Sequence, residues 1–322
     1  MKVLVTRRLP SRVIARLEER FDVDLHDGDV LPPDELRERV REAHGLICVL
    51  TDRIDGGVID AAPQLKIIAA VAVGYDNIDV VHARSRGIVV TNTPDVLTGA
   101  VAEFTWGLIL SVTRRITEGD RLVRAGGWKR WGLDFMLGAE LSGKQLGILG
   151  MGRIGRAVAA RAPAFGMTVA YHRGHHETRL KPGATAGGGT SLQARPVSFD
   201  ELLVTSDVIS IHTPLTPESR HIIDQRALAR MKRTAYLINT SRGPVVDEAA
   251  LAWAMRERLI AGAALDVYEK EPMVHPDLPG FDNVILAPHL GSATRETRTA
   301  MADLAVSNVL AVLGGQPPLT PV

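Results

Sequence analysis

The chain has 322 residues, of which 45% are hydrophobic and 23% charged, and its formal net charge at pH 7 is +1. This length predicts about two domains with sizeable hydrophobic cores, and the near-zero net charge argues against a nucleic-acid or membrane-surface partner. No apolar run approaches the ~20 residues that span a bilayer, and the N-terminus lacks a signal-peptide pattern. We therefore expect a cytoplasmic protein, in which the single cysteine, Cys48, forms no internal disulfide.

Short apolar runs alternate with helical patterns over roughly the first third of the chain. This alternation predicts a parallel β-sheet with helices on both faces. The strands predicted here are Val3 to Val5, Val23 to Leu25, Leu46 to Leu50, Ile67 to Val71 and Ile88 to Val90.

A long apolar segment from Thr98 to Arg124 follows and predicts one helix. Because it is apolar on most sides, we expect it to be buried in a core or against a second subunit. The connection after it carries Trp128, Trp131, Phe135 and Met136, a dense apolar cluster that favours a subunit interface over local packing or the edge of a substrate gate.

The alternation then restarts and predicts a second doubly wound domain. A helix is expected from Ser292 to Leu313, and a mobile surface loop from Thr185 to Ser191, where three consecutive glycines oppose helix formation. The strands predicted here are Leu146 to Leu149, Thr168 to Tyr171, Val208 to Ile211, Ala235 to Ile238, Gly262 to Leu265 and Val284 to Leu286.

Three glycines separate the Leu146 strand from a helical pattern, in the order Gly150, Gly152 and Gly155. This spacing is typical of a dinucleotide-binding turn. The first glycine permits the turn, the second lets the backbone approach a pyrophosphate, and the third lets the helix pack closely on the strand. The N–H groups of the helix N-terminus then face the phosphates.

Polar side chains follow the later strands of this domain, where a doubly wound sheet binds its ligands. Arg242, Asp266, Glu271 and His289 can converge there. Such a set suits hydride transfer to a carbonyl, with a histidine as proton donor, a carboxylate that orients it, and an arginine that holds a substrate carboxylate. The residues alone leave His212 and His275 open as alternatives to His289.

The end of the second strand of this domain bears on cofactor choice. NAD-binding domains commonly place an acidic residue there, about 20 residues after the first glycine, whereas this chain has Arg173. A cation suits a 2′-phosphate, so we predict NADP(H) as the preferred cofactor, with NAD(H) possible. His172, His175 and His176 lie nearby, but no cysteine or paired carboxylate accompanies them at ligand spacing, and no metal site is predicted.

Several stretches together make the chain resemble the D-isomer-specific 2-hydroxyacid dehydrogenases over nearly its whole length. Within that family it is most similar to the glyoxylate/hydroxypyruvate reductases, partly through residues 50–55. The stretches that carry the resemblance are residues 73–79, 92–97, 150–155, 239–243, 265–272 and 287–291.

The resemblance implies that Arg242, Glu271 and His289 are catalytic, which selects His289 among the histidines. It implies that Val73 and Gly74, with Arg242 and His289, bind the substrate. Besides the three glycines and Arg173, the positions expected at the cofactor are Arg153, Ile154, Thr213, Pro214, Thr240, Ser241, Asp266, Gly291 and Ser292.

The resemblance also implies a flavodoxin-like substrate domain, residues 1–96 and 291–322, into which a Rossmann domain, residues 97–290, is inserted. Segment 98–140 would form a homodimer. The expected activity is NADPH-dependent reduction of glyoxylate or hydroxypyruvate to the D-2-hydroxy acid. Alternatives within the family are a phosphoglycerate, D-lactate-type or phosphite dehydrogenase that uses NAD. A nicotinamide-sensing, corepressor-like binding protein is the alternative outside enzyme function.

Overall fold

The computed structural model describes residues 1–173 and 193–322. The chain divides into two compact units, one formed by residues 1–97 and 293–322 and the other by residues 98–292. Each unit is built on a single parallel β-sheet. The predicted fold class, two doubly wound parallel-sheet domains, is confirmed.

The first unit has five parallel strands whose spatial order is the flavodoxin-like one, β2-β1-β3-β4-β5. Strands β3 and β4 are buried along their whole length, which explains why they read as continuous apolar runs. Its elements in chain order are β1 (Lys2–Val5), α1 (Ser11–Glu18), β2 (Asp22–Leu25), α2 (Pro33–Arg39), β3 (Gly45–Cys48), α3 (Gly56–Asp60), β4 (Ile67–Ala70), α4 (Val80–Ser85) and β5 (Val89–Thr91).

The second unit contains α5 (Thr98–Thr113), α6 (Ile116–Arg124), β6 (Gln145–Leu149), α7 (Arg153–Ala159), β7 (Thr168–His172), β8 (Ala194–Pro196), α8 (Phe199–Thr205), β9 (Val208–Ile211), α9 (Gln225–Arg230), β10 (Tyr236–Asn239), α10 (Glu248–Arg256), β11 (Gly262–Leu265) and β12 (Val284–Leu286). Its strands lie in the order β12-β11-β10-β9-β6-β7-β8. Counted from β6, this is the Rossmann order 3-2-1-4-5-6, with β12 as an additional strand.

Successive residues of each strand in this sheet face opposite layers of helices. Leu237 belongs to one buried cluster, formed largely with α8, α9 and α10, whereas Ile238 belongs to another, formed with α5 and α7. Because helices cover both faces, the strands show no alternation of polar and apolar residues. Polar side chains can gather only beyond the ends of the strands.

The prediction of one helix from Thr98 to Arg124 is wrong. Two helices form, because Arg115 adopts a left-handed conformation with φ of 56° between α5 and α6. Helix α5 is a core helix: Trp106 is buried, its indole N–H donates to the Val158 carbonyl at 3.0 Å, and its ring stacks on Phe165. Helix α6 has no buried residue.

Strand β8 was not predicted from the sequence. It has three residues and ends in Pro196, so it carries almost no strand signal, and it pairs only with β7 among the described strands. Proline is tolerated in such an edge strand because one side of it makes no ladder hydrogen bonds. The mobile loop predicted at residues 185–191 lies outside the described residues.

The chain returns to the first unit with α11 (Arg295–Leu313), three residues later than the predicted start. Thr294 caps this helix, its hydroxyl accepting from the Thr297 N–H at 3.1 Å. Helix α11 packs against α1, β3 and β4. Buried Asn308 ties the following segment to the helix, since its carbonyl oxygen accepts from the N–H groups of Leu319 and Thr320.

None of the helices in the described ranges combines the length and the apolar character needed to cross a lipid bilayer.

Candidate active site

The turn after β6 fits only glycine at its first position. Gly150 has φ of 98°, and a Cβ there would lie 2.6 Å from the His212 carbonyl carbon and 2.7 Å from the Thr213 nitrogen. The turn is held between two strands, because Gly150 N–H donates to the His172 carbonyl and His212 N–H to the Leu149 carbonyl. The backbone of the turn therefore lies directly against the end of β9.

The other two glycines of the turn differ in what surrounds them. A Cβ on Gly155 would lie 2.1 Å from the Gly150 carbonyl oxygen, so α7 packs on the turn only because residue 155 lacks a side chain. A Cβ on Gly152 would meet no protein atom within 4 Å. The side of Gly152 is thus open where a dinucleotide pyrophosphate would need to approach, and the turn fits that cofactor.

Several residues predicted at the cofactor lie at the same end of the sheet. The Ser241 hydroxyl donates to the Thr213 carbonyl, and the Thr240 hydroxyl lies 3.0 Å from that of Thr105 on α5. Buried Asn239, which was not predicted as a site residue, shapes this loop: its carbonyl oxygen accepts from Ser241 N–H and its amide donates to the Arg242 carbonyl.

His289 and Glu271 form a close pair. The Nδ1 of His289 donates to Oε2 of Glu271 at 2.8 Å, and their side chains are 27% and 24% exposed. The other Glu271 oxygen accepts from the Tyr268 N–H at 3.1 Å. With Nδ1 occupied, Nε2 is the ring nitrogen of His289 left to face a substrate.

The pKa of Glu271 reflects this environment. Burial acts to raise it, but the hydrogen bond and charge of His289, the Tyr268 N–H and the positive charge of Arg242 together lower the pKa below the ordinary value of 4.5. Glu271 is therefore ionised at neutral pH. Arg242 itself follows β10, and its guanidinium donates to the Ser241 carbonyl at 2.9 Å.

Asp266 fixes the backbone beside His289. Its buried carboxylate accepts from the N–H groups of Leu290 at 2.6 Å and Gly291 at 2.8 Å, and its carbonyl accepts from His289 N–H. These bonds hold His289 in a left-handed conformation with φ of 56°. Burial raises the pKa of Asp266 against the opposing effect of the two N–H groups. Asp266, predicted at the cofactor, thus also positions the histidine loop.

The two alternative histidines are placed differently. His212 lies beside Ser210, with its Nε2 2.8 Å from that hydroxyl, and burial lowers its pKa to about 3, so its ring is neutral at physiological pH. The backbone N–H of His275 donates to Glu248, and its Nδ1 accepts from Asp277 N–H. Among the described residues, His289 is the histidine whose ring meets Glu271.

Arg173 follows β7 at the surface, its guanidinium 5.4 Å from the centre of the Tyr171 ring. His172 is turned toward Val197, whose carbonyl lies 3.1 Å from its Nδ1, and His175 and His176 lie outside the described residues. Within residues 1–173 and 193–322, no group of three or more His, Cys, Asp or Glu side chains is arranged to hold a metal ion.

Val73 and Gly74 belong to the first unit and follow β4. The side-chain amide of Asn92 donates to the Val73 carbonyl at 2.7 Å, which ties this loop to the end of β5. Their assignment to the substrate stays a prediction, as do all the other catalytic and cofactor-binding roles predicted from the sequence, including those of Arg153, Ile154, Pro214 and Ser292.

The sequence of the second unit matches the family described as D-isomer specific 2-hydroxyacid dehydrogenase, NAD binding domain, over residues 106–291. The chain belongs to this family. It is 49% identical to a glyoxylate reductase of Thermofilum pendens, a match that covers 98% of this chain and 93% of that protein.

Two solved structures of the family are similar over the whole of this chain. A glyoxylate reductase from Paecilomyes thermophila is 33% identical, with a TM-score of 0.88 and 98% of its chain covered. An NADPH-dependent glyoxylate/hydroxypyruvate reductase from Sinorhizobium meliloti, solved with NADP and malonate, is 36% identical, with a TM-score of 0.85 and 96% covered. The predicted resemblance is thus confirmed, and this 2-hydroxyacid dehydrogenase is an oxidoreductase with a nicotinamide-cofactor domain.

Gly243 offers a test of how closely the dehydrogenase's loops must approach one another. A Cβ there would lie 1.8 Å from the Tyr268 carbonyl carbon and 2.5 Å from Glu269 N, both backbone atoms that no rotamer change can move. We expect Gly243→Ala to lower the free energy of unfolding by about 1–3 kcal/mol and to lower turnover about 100-fold, because it displaces Arg242 or Glu271.

Chemical denaturation and a NADPH-oxidation assay with glyoxylate measure the two effects. Gly280→Ala is the matched control, because a Cβ at residue 280 meets no atom within 4 Å. Equal turnover in the two variants would show that the close approach of the backbones at residues 243 and 268 does not position the site.

Proposed function

We propose that this dehydrogenase reduces a small 2-oxo acid, glyoxylate or hydroxypyruvate, to the D-2-hydroxy acid with NADPH. The observation that carries the proposal is the His289–Glu271 pair with the charge of Arg242 beside it, in the same unit as the glycine turn. The relatives named glyoxylate reductase support this substrate class.

Gly150, Gly152 and Gly155 would hold the dinucleotide, with Thr213, Ser241 and Asp266 nearby. When bound there, a reduced nicotinamide would supply the hydride that the carbonyl carbon accepts. As the carbonyl oxygen gains negative charge, the Nε2–H of His289 donates a proton to it, which completes the alcohol. Arg242 binds the substrate carboxylate through its planar guanidinium.

Glu271 makes this proton transfer possible in two ways. Its carboxylate fixes the ring orientation through Nδ1, and its negative charge lies 2.8 Å from the ring that gives up the proton. Because its pKa lies below 4.5, Glu271 keeps that charge throughout the neutral range and loses it only as the pH falls through its lowered pKa.

Arg173 supports NADPH as the preferred reductant. It lies at the end of β7, where an acidic residue would bind a ribose 2′-hydroxyl, and its guanidinium rests on the Tyr171 ring. An exposed cation at this position suits a 2′-phosphate, while no acidic side chain stands in the described part of this strand end to repel it.

The functional protein is proposed to be a homodimer. Large apolar side chains are exposed along the segment after α6, including Trp131 at 72% and Leu133 at 85%. Side chains of this size rarely cluster on a monomer surface without a partner. The other exposed apolar residues of the segment are Trp128, Phe135 and Leu137.

The test of the activity is replacement of the proposed proton donor. His289→Ala should lower turnover of glyoxylate by about 10²–10⁴-fold, the range expected for loss of a general acid, and should leave the Kd of NADPH nearly unchanged. Steady-state kinetics and fluorescence titration measure the two quantities. If the wild-type chain binds NADPH but oxidises it with no 2-oxo acid, a nicotinamide-sensing role replaces the enzymatic one.

Cofactor preference is tested at Arg173. Arg173→Gln should lower the NADPH:NADH ratio of kcat/KM about 10–100-fold, since a charge-assisted hydrogen bond contributes roughly 1.5–3 kcal/mol. Arg195→Gln is the matched control, because it removes a positive charge on neighbouring β8 that is paired with Glu201. A ratio that stays at the wild-type value in Arg173→Gln would make Arg173 a bystander.

Oligomeric state is tested by light scattering after size-exclusion chromatography. We expect a dimer for the wild-type chain and a monomer for Leu133→Asp, because the new carboxylate would be buried without a partner at the interface. Val81→Asp, at an exposed residue of the first unit, is the control and should remain dimeric. A monomeric wild-type chain would contradict the proposal.

A further inference from the structure

Glu248 is a buried carboxylate outside the predicted site. It is the first residue of α10 and is 5% exposed. Its Oε1 accepts from the Glu269 N–H at 2.6 Å, and its Oε2 accepts from the His275 N–H at 3.0 Å. Because burial of a carboxylate is costly without such bonds, the two N–H groups are what stabilise it there.

The two N–H groups stand at the ends of the loop that carries Glu271. Residues 269 and 275 flank it, and within the loop Met273 N–H donates to the Lys270 carbonyl at 2.9 Å. One side chain therefore holds both ends of the loop. The Glu248 carboxylate thus links the start of α10 to the loop of Glu271, the partner of His289.

Glu269 in turn accepts a hydrogen bond from the backbone of Glu248. Its Oε1 accepts from the Glu248 N–H at 3.0 Å, at the positive end of the α10 dipole, so each glutamate accepts from the other's backbone. Its Oε2 accepts from Nε2 of His221 at 2.9 Å. The His221 N–H donates to the Pro244 carbonyl at 2.8 Å, two residues beyond Arg242. The cluster thus connects the Arg242 and Glu271 loops.

We propose that Glu248 is a positioning residue for proton transfer: it holds the Glu271 loop so that Glu271 keeps its hydrogen bond to His289. Glu269 and His221 add the hydrogen bonds that join this loop to the Arg242 loop. This inference rests on the proposed function, because it assigns Glu248 an effect on the step that His289 performs. In this proposal Glu248 acts through Glu271 and not on the reacting atoms.

The test is a double-mutant cycle with NADPH and glyoxylate on the full chain. Glu248→Gln replaces one acceptor oxygen by an N–H group that faces an N–H donor, and it should lower kcat about 10–100-fold while the Kd of NADPH stays unchanged. In a His289→Ala background the same substitution should cause no further loss, because the step that it affects is already absent.

Asp247→Asn is the matched control. Asp247 is the neighbouring acid and caps the same helix through Ala250 N–H, but its side chain has no hydrogen bond to the Glu271 loop. It should lower the free energy of unfolding with kcat within about twofold of wild type. If Asp247→Asn lowers kcat as much as Glu248→Gln does, helix stability explains the effect and the inference is wrong.

Glu269→Gln provides a second variant where Glu248→Gln does not fold, and the same loss of kcat without loss of NADPH binding is expected. A further loss of kcat by either variant in the His289→Ala background, or a kcat equal to wild type, overturns the positioning role. Failure of the proposed function is distinct, because it would appear as a wild-type chain that turns over no 2-oxo acid.

Discussion

The hydrogen bond between His289 and Glu271 is the interaction around which the loops of the candidate site are arranged. Its two residues follow different strands, β12 and β11, and neither is held by regular secondary structure. Each is fixed instead by a buried carboxylate that accepts backbone N–H groups: Asp266 beside His289 and Glu248 beside Glu271. The pair keeps its 2.8 Å separation because the loops on both sides are anchored independently.

The charged side chains of the candidate site lie in loops beyond the ends of the strands, outside the close-packed faces of the sheet. Both faces of the sheet are covered by helices, so ionisable groups can gather only beyond the ends of the strands. The cost of burying them is offset by backbone N–H groups of the loops, which donate to the carboxylates. Gly150 and Gly243 lie at the same end of the sheet. Because they lack a Cβ, the backbones of neighbouring loops can approach them closely.

The fold could be predicted because it leaves a local signal in the sequence, whereas the family resemblance was needed to select His289 among the histidines as the partner of Glu271. Continuous apolar runs indicate strands buried on both faces, and polar residues directly after such runs must meet at one edge of a parallel sheet. The Glu248–Glu269 contact leaves no such signal, since it joins residues that are 21 positions apart, and glutamates at a helix start or in a loop are ordinary. Arg115 was missed for a similar reason, because a left-handed arginine has none of the sequence preference that glycine or asparagine shows.

The left-handed residue at Arg115 separates two helices that pack differently. Before it, α5 is bound to the sheet by Trp106 and its neighbours, so substitutions there disturb the core that supports the glycine turn. After it, α6 has no fully buried residue in the described part of the chain, and Arg115 is held locally by a paired contact with Glu118. A substitution on the exposed surface of α6 therefore disturbs the core that supports the glycine turn less than a substitution in α5 does.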